Sequence, residues 1–162
     1  MKYFKFLGFS GTLLTLILDQ LSKQVVLSWF LSGNHQIEVT SFFNIILAAN
    51  RGVSFGLFAA GSSSEVWALI AVAGCISFLL GLWIWQADSK FSSICFGLVL
   101  GGALGNVIDR FFYGAVIDFL DFHAFGYHWY TFNIADCGIV IGAVLLVCQM
   151  LFSIKTDNNN EA

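Results

Sequence analysis

The stretch Val116–Asp136 reads VIDFLDFHAFGYHWYTFNIAD and lies between two long apolar segments. Asp118 stands near one end and Asp136 at the other, where the last apolar segment begins. A chain this apolar has few carboxylates. Two of them where apolar helices would meet water form a candidate catalytic pair. Whether they can act as one depends on what the flanking segments are.

Those segments read as membrane spans. Of 162 residues, 58% are hydrophobic and only 10% charged, with mean hydropathy +0.82. A soluble domain carries about 25% charged residues, so this chain has too little polar surface to coat one. A bilayer crossing needs about 20 largely apolar residues. Such spans are expected at about 6–31, 65–85, 91–111 and 134–154. The fold class is therefore an all-α integral membrane protein, a single domain over 1–162. Lys2 and Lys5 precede the first span as in a secretory signal. No small-residue cleavage site follows, and the apolar run continues past Asp19, so a retained helix is expected. Trp67, Trp83 and Trp85 flank the second span as interfacial anchors.

The segment 36–58 is rich in β-branched and aromatic residues with turn formers between, which suggests a small sheet or cradle. The aromatic loop 120–131, holding Gly126, suggests a mobile lid. The polar end, 156–162, is expected to be disordered. Lys2, Lys5, Lys90 and Lys155 fall on one side of the spans and Arg51 on the other. That bias places both termini in the cytoplasm and both long loops outside.

Composition also excludes functions. The formal charge is −3 and the basic residues form no patch, so nucleic acid is not an expected partner. Cys75, Cys95, Cys137 and Cys148 form no CxxC pair and read as buried, inert thiols. His35, His123 and His128 read as exposed loop residues, and no HExxH is present. Neither a metal nor a cofactor is expected.

Polar residues inside spans cost about 2.5–3.5 kcal/mol each at the centre when charged. In the first span Thr12, Thr15, Asp19, Ser22 and Lys23 share one face, and Asp19 can pair with Lys23 one turn on. In the third, Gly97, Gly101 and Gly105 form a ridge that lets another helix approach closely. Asn106, Asp109 and Arg110 follow, either as an interfacial anchor or as support for catalytic groups. Asp109 and Arg110 could neutralise each other or reach separate partners. In FNIAD, Asn133 suits an N-cap, which puts Asp136 in the first turn, where the helix dipole favours a carboxylate. Helix capping alone would therefore account for Asp136.

Two acids in hydrogen-bond range share one proton, and their titrations separate. One can then activate water while the other protonates a carbonyl oxygen or leaving amine, with no metal and no Ser or Cys nucleophile. Asp121 competes with Asp118 for this role, and spacing does not decide between them. Gly52–Gly56 fits GxSxG around Ser54, but a nucleophile elbow needs a strand-to-helix turn with His and acid partners. Paired acids would also suit a proton-coupled transporter, although no internal repeat is visible. A non-enzymatic membrane subunit would explain the glycine ridge but not the polar cluster.

The chain resembles signal peptidase II, the lipoprotein signal peptidase of bacteria. The resemblance rests on ordered blocks: DQLSK at 19–23, NRGVSFG at 50–56, GGALGNVIDR at 101–110, VIDF at 116–119 and FNIAD at 132–136. It implies four transmembrane helices, a small extracytoplasmic β-cradle and a periplasmic loop or helix. It implies an aspartic endopeptidase of the cytoplasmic membrane, active near the outer face on diacylglyceryl-modified prolipoproteins. Cleavage would fall on the amino side of the lipidated cysteine. Substrate and membrane lipids are then the expected partners, and the protein is expected to be a monomer. The matching positions assign the dyad to Asp118 and Asp136. They make Asn50, Gly52, Asn106, Asp109, Arg110 and Asn133 site-supporting or substrate-contacting residues. Asp19 and Lys23 are structural or supporting, and the GxSxG match becomes fortuitous.

Overall fold

The computed structural model describes residues 2–52 and 62–160, with side chains described for 3–52 and 62–152. The elements in order are α1 (Lys2–Leu31), β1 (Ile37–Thr40), β2 (Phe43–Asn50), α2 (Ser63–Gln86), α3 (Lys90–Tyr113), β3 (Val116–Ala124), β4 (Tyr127–His128) and α4 (Ile134–Asn160). Four helices are long and apolar enough to cross a membrane: Tyr3–Leu31, Ser63–Gln86, Lys90–Tyr113 and Ile134–Phe152. Their outward faces carry large exposed apolar side chains, among them Leu14, Leu18, Phe78, Val144 and Leu151. An aqueous surface rarely carries so many contiguous ones, and a lipid-facing surface requires them.

Helix α3 is the centre of the bundle. It packs extensively against α1, α4 and α2, while those three touch one another little. In its most apolar window 39% is buried, against 17–22% in the other three. The glycine ridge makes this possible. A Cβ at Gly101 would lie 2.6 Å from the Thr12 carbonyl oxygen, and one at Gly97 would overlap the Gly8 backbone. Gly102 and Gly105 admit the start of α4 and Asp19 at similar range. In lipid, close backbone packing of this kind replaces the hydrophobic drive of a soluble core. At the opposite end of the bundle from the sheet, Lys5 sits 3.7 Å from the Trp85 ring centroid and Lys90 lies 5.6 Å from that of Tyr3. These contacts tie α1, α2 and α3 together there.

The strands form one antiparallel sheet in the order β1-β2-β3-β4. Ala48 pairs with Asp118, Asn50 with Val116 and Asn44 with Asp121, with a bulge between Ile45 and Ala48. The first half of this sheet comes from the segment expected to form a sheet or cradle, and its second half from 116–128, which the sequence reading left as a loop or helix. The reason is local. VIDFLDF is β-branched and aromatic, and Phe125-Gly126 closes a two-residue hairpin with φ of 52° and 82°. Positive φ at both central residues is what a type I′ turn requires. Residues 53–61, including Ser54 and the far part of the expected cradle at 36–58, lie outside the described residues.

Helix α4 runs to Asn160, where a disordered end was expected from 156. No Pro or Gly interrupts 153–160. Cys95 is buried as expected, but Cys75 and Cys148 are exposed and Cys137 is half-buried. Apolar helix faces turned to lipid count as exposed, so apolar context did not imply burial.

Candidate active site

The polar groups of α1, α3 and α4 gather where the bundle meets the sheet. Asn133 caps α4: its Oδ1 accepts from the Asp136 amide at 2.9 Å, and the Cys137 amide donates to its carbonyl oxygen at 3.2 Å. Capping fixes Asp136 in the first turn. The same Asn133 side chain donates from Nδ2 to Asp118 Oδ1 at 2.6 Å. One fully buried amide therefore joins the two aspartates, one on β3 and one on α4.

Each carboxylate has a second asparagine. Asn50 Nδ2, at the end of β2, donates to Asp118 Oδ2 at 3.1 Å. Asn106 Nδ2, on α3, donates to Asp136 Oδ1 at 2.9 Å. The Asn50 amide is oriented by the Gly52 backbone N–H, which donates to its Oδ1 at 3.0 Å. The Gly52 carbonyl in turn accepts from Arg110 Nη2 at 2.7 Å, and Arg110 Nη1 donates to the Asn106 carbonyl at 3.3 Å.

Behind these lies a buried ionic core. Lys23 Nζ is 2.7 Å from both Asp19 Oδ2 and Asp109 Oδ2, and donates to Asn106 Oδ1 at 3.2 Å. Its three donors meet three acceptors, as a lysine 1% exposed requires. Asp19 Oδ1 accepts from the Ala135 amide at 2.9 Å, and Asp109 Oδ2 from the Ile117 amide at 3.1 Å. The backbones beside Asp136 and Asp118 are thus both fastened to the core. Asp109 takes Lys23 rather than its neighbour Arg110.

Asp118 is 2% exposed. Burial, then the nearby Asp136 charge, pushes its carboxyl from the ordinary 3.8 up to about 7. Hydrogen bonds from Asn50 and Asn133 and the Lys23 charge oppose the shift. A proton held by this group near neutrality suits acid chemistry.

Asp121 is buried as well, but its partners are different. Asn44 Nδ2 donates to it at 3.2 Å and His128 Nδ1 lies 2.9 Å away. Three residues from Asp118 on one strand, it sits on the other face. His128 stacks on His123 at 4.9 Å, and His123 is half-buried rather than exposed. Sequence reading missed Asn44, His128 and Gln20. Gln20 Nε2 donates to Asp109 Oδ1 at 3.0 Å and to Asp19 Oδ2 at 3.1 Å. It stands inside DQLSK, but an uncharged amide beside an ion pair gives no signal of its own. Among the described residues, no group of His, Cys, Asp and Glu is arranged to hold a metal.

An apolar cleft of about 440 Å³ opens beside Asp136 and Asn50, walled by Trp129, Tyr130, Phe132 and the Ile139–Ile141 face of α4. The site thus has a polar floor and a greasy approach.

Comparison with known proteins identifies relatives of the whole chain. The family described as signal peptidase (SPase) II matches residues 12–152. A lipoprotein signal peptidase of Ralstonia nicotianae is 46% identical over 142 residues, 86% of this chain and 81% of that one. One of Burkholderia vietnamiensis is 44% identical over 145 residues, 89% of this chain and 87% of that one. A solved structure of a bacterial membrane enzyme superposes with TM-score 0.78 at 27% identity, covering 96% of this chain and 91% of its own. A match over nearly all of four helices, sheet and polar core shows that the chain belongs to the signal peptidase II family.

Proposed function

We propose that this protein removes signal peptides from diacylglyceryl-modified prolipoproteins as an aspartic endopeptidase, with Asp118 and Asp136 as its dyad. The observation that carries the reading is Asn133, whose buried side-chain amide donates to the Asp118 carboxylate and accepts from the Asp136 backbone N–H, while its own backbone N–H donates to the Asp136 carboxylate. Family membership leaves the transporter and structural-subunit readings without support.

Asp136 lies in the first turn of α4, where the helix dipole favours its ionised form. Asp118, pushed up to about 7, keeps its proton. Asp136 then takes a proton from water as the water oxygen bonds to the scissile carbonyl carbon, and Asp118 gives its proton to the carbonyl oxygen. The resulting gem-diol collapses when the proton on Asp136 passes to the departing amine, the C–N bond breaks, and Asp118 regains its proton. Asn50, Asn106 and Asn133 hold the two carboxylates in register, and Arg110 and Gly52 hold Asn50. The ion core of Asp19, Lys23 and Asp109 anchors the backbones that carry the dyad. The greasy cleft beside Asp136 suits a substrate that is half lipid, presented sideways from the membrane. The lysine bias places both termini in the cytoplasm and the dyad near the outer face of the bacterial inner membrane. Nothing in this scheme needs a second copy of the chain.

The test is cleavage of a diacylglyceryl-modified prolipoprotein by purified protein in detergent. Wild type should release the signal peptide. Asp118→Asn and Asp136→Asn should each lose at least about a thousandfold in kcat, with unchanged helical circular dichroism. Retained cleavage by either variant would exclude the dyad.

A further inference from the structure

The chain contains two arginines, Arg51 and Arg110, and both line one cavity of about 340 Å³. It lies between the first turn of α2 and the last turn of α3. Ser62, Ser63, Trp67 and Tyr113 also line it, and among the described residues no carboxylate does. Glu65, nearby in the first turn of α2, turns its Oε2 back to the Ser62 amide at 3.3 Å. The buried carboxylates Asp19, Asp109 and Asp121 pair with Lys23 and His128, not with an arginine. The bonds Arg110 makes go to neutral carbonyls, and among the described residues its buried Nε has no partner. A buried donor left over in this way calls for a ligand or water.

Guanidinium forks match phosphate oxygens bidentately. The setting indicates which phosphate. The cavity lies where α2 begins and α3 ends, at the membrane boundary of both spans. Its aromatic frame is turned outward: Trp67 is 56% exposed and Tyr113 48%. Trp67 also packs edge-on against Phe111, itself 58% exposed, at 5.9 Å. Aromatic belts of this kind sit at headgroup level. We propose that the cavity binds the phosphate of a phospholipid headgroup in the leaflet nearest the dyad.

The site has a route to the catalytic groups. Arg110 holds the Gly52 carbonyl, the Gly52 amide holds Asn50, and Asn50 holds Asp118. Headgroup binding therefore firms the side of the dyad that carries Asp118. This coupling rests on the peptidase reading, whereas headgroup binding does not, and the two are measured separately.

Binding is read by native mass spectrometry of full-length protein released from nanodiscs of phosphatidylglycerol or of an uncharged, phosphate-free galactolipid. Wild type should retain phosphatidylglycerol and not galactolipid. Arg51→Gln should retain it about tenfold less, as loss of one charge-assisted contact implies. Lys90→Gln, at the other end of the bundle, should bind as wild type. Equal retention by Arg51→Gln, or equal retention of the galactolipid, would overturn the proposal. So would displacement by millimolar inorganic phosphate, which would make the site one for the free ion, or by an acidic peptide, which would give it to the substrate chain. Cleavage measured in parallel should rise with phosphatidylglycerol for wild type and not for Arg51→Gln, with equal rates in uncharged detergent.

Discussion

At the scale of single residues, the site stores instability in Asp118. In the folded protein this group keeps its proton from the ordinary 3.8 up to about 7, while the unfolded chain has lost it over that window. Its contribution to stability is therefore full below pH 3.8 and is lost as pH rises through about 7. Asp118→Asn removes the penalty. The shift sets an upper limit of about 4 kcal/mol above pH 7, less about 1 kcal/mol for the disturbed bond from Asn50. Melting in detergent should show the variant more stable than wild type at pH 8, with the gap closing toward pH 4. A constant gap would place the proton elsewhere. Activity should likewise fall as pH rises past about 7, as the acid of the dyad is lost. Lys23 is the opposite case. Lys23→Met strands Asp19 and Asp109 without their cation, a loss of roughly 3–5 kcal/mol. Adding Asp109→Asn should recover part of it, and a double variant no more stable than the single would show that the core is not held by charge pairing.

Among the elements, α3 carries the most constraint. Gly101→Ala would place a methyl 2.6 Å from the Thr12 carbonyl oxygen and 2.8 Å from Thr15 Cβ. Helix α1 must then shift, drawing Asp19 away from the Ala135 amide. Overpacking of this kind costs roughly 1–3 kcal/mol. Gly81→Ala, facing open space, should melt as wild type, and equal melting of the two variants would mean that α1 and α3 are not packed through the ridge. The helices, the ridge and the Asn133 cap were legible in the sequence because each has a periodic or positional signature. The proposed dyad shows in the sequence as scarce carboxylates flanking one loop, but physics alone left Asp121 open beside Asp118. Sheet register gives them different surroundings, since strand pairing turns Asp118 to Asn50 and Asn133 and Asp121 to Asn44. Register arises from contacts far apart in the chain. The hairpin at 125–126 was missed because Phe-Gly is not the Asn-Gly or Asp-Gly pair that marks a type I′ turn. Physics alone also left Arg110 open between an interfacial anchor and a supporting role, because its acceptors are backbone carbonyls.

For the molecule as a whole, two cavities of opposite character stand out, one lined by Asp136 and Asn50 and one by Arg51 and Arg110. The apolar cleft beside Asp136 is where a lipid-bearing substrate would enter. The chain carries its own reporter of that entry route. Cys137 follows Asp136 directly and lines the cleft. Cys95 is 1% exposed, while Cys75 and Cys148 lie on exposed helix faces. In a Cys75→Ala/Cys148→Ala background, N-ethylmaleimide should therefore label Cys137 alone. An adduct there occupies the space next to the carboxylate, so cleavage should fall at least about tenfold, in step with labelling, because a group displaced by even 1 Å from its reacting partner can lose two orders of magnitude. Saturating lipidated substrate should slow the labelling, and an unlipidated peptide of the same sequence should protect much less. A Cys137→Ser control should be active and insensitive to the reagent. Fully labelled protein that still cleaves at the wild-type rate would mean that substrate does not pass through this cleft, and the entry route would have to be sought on another face of α3.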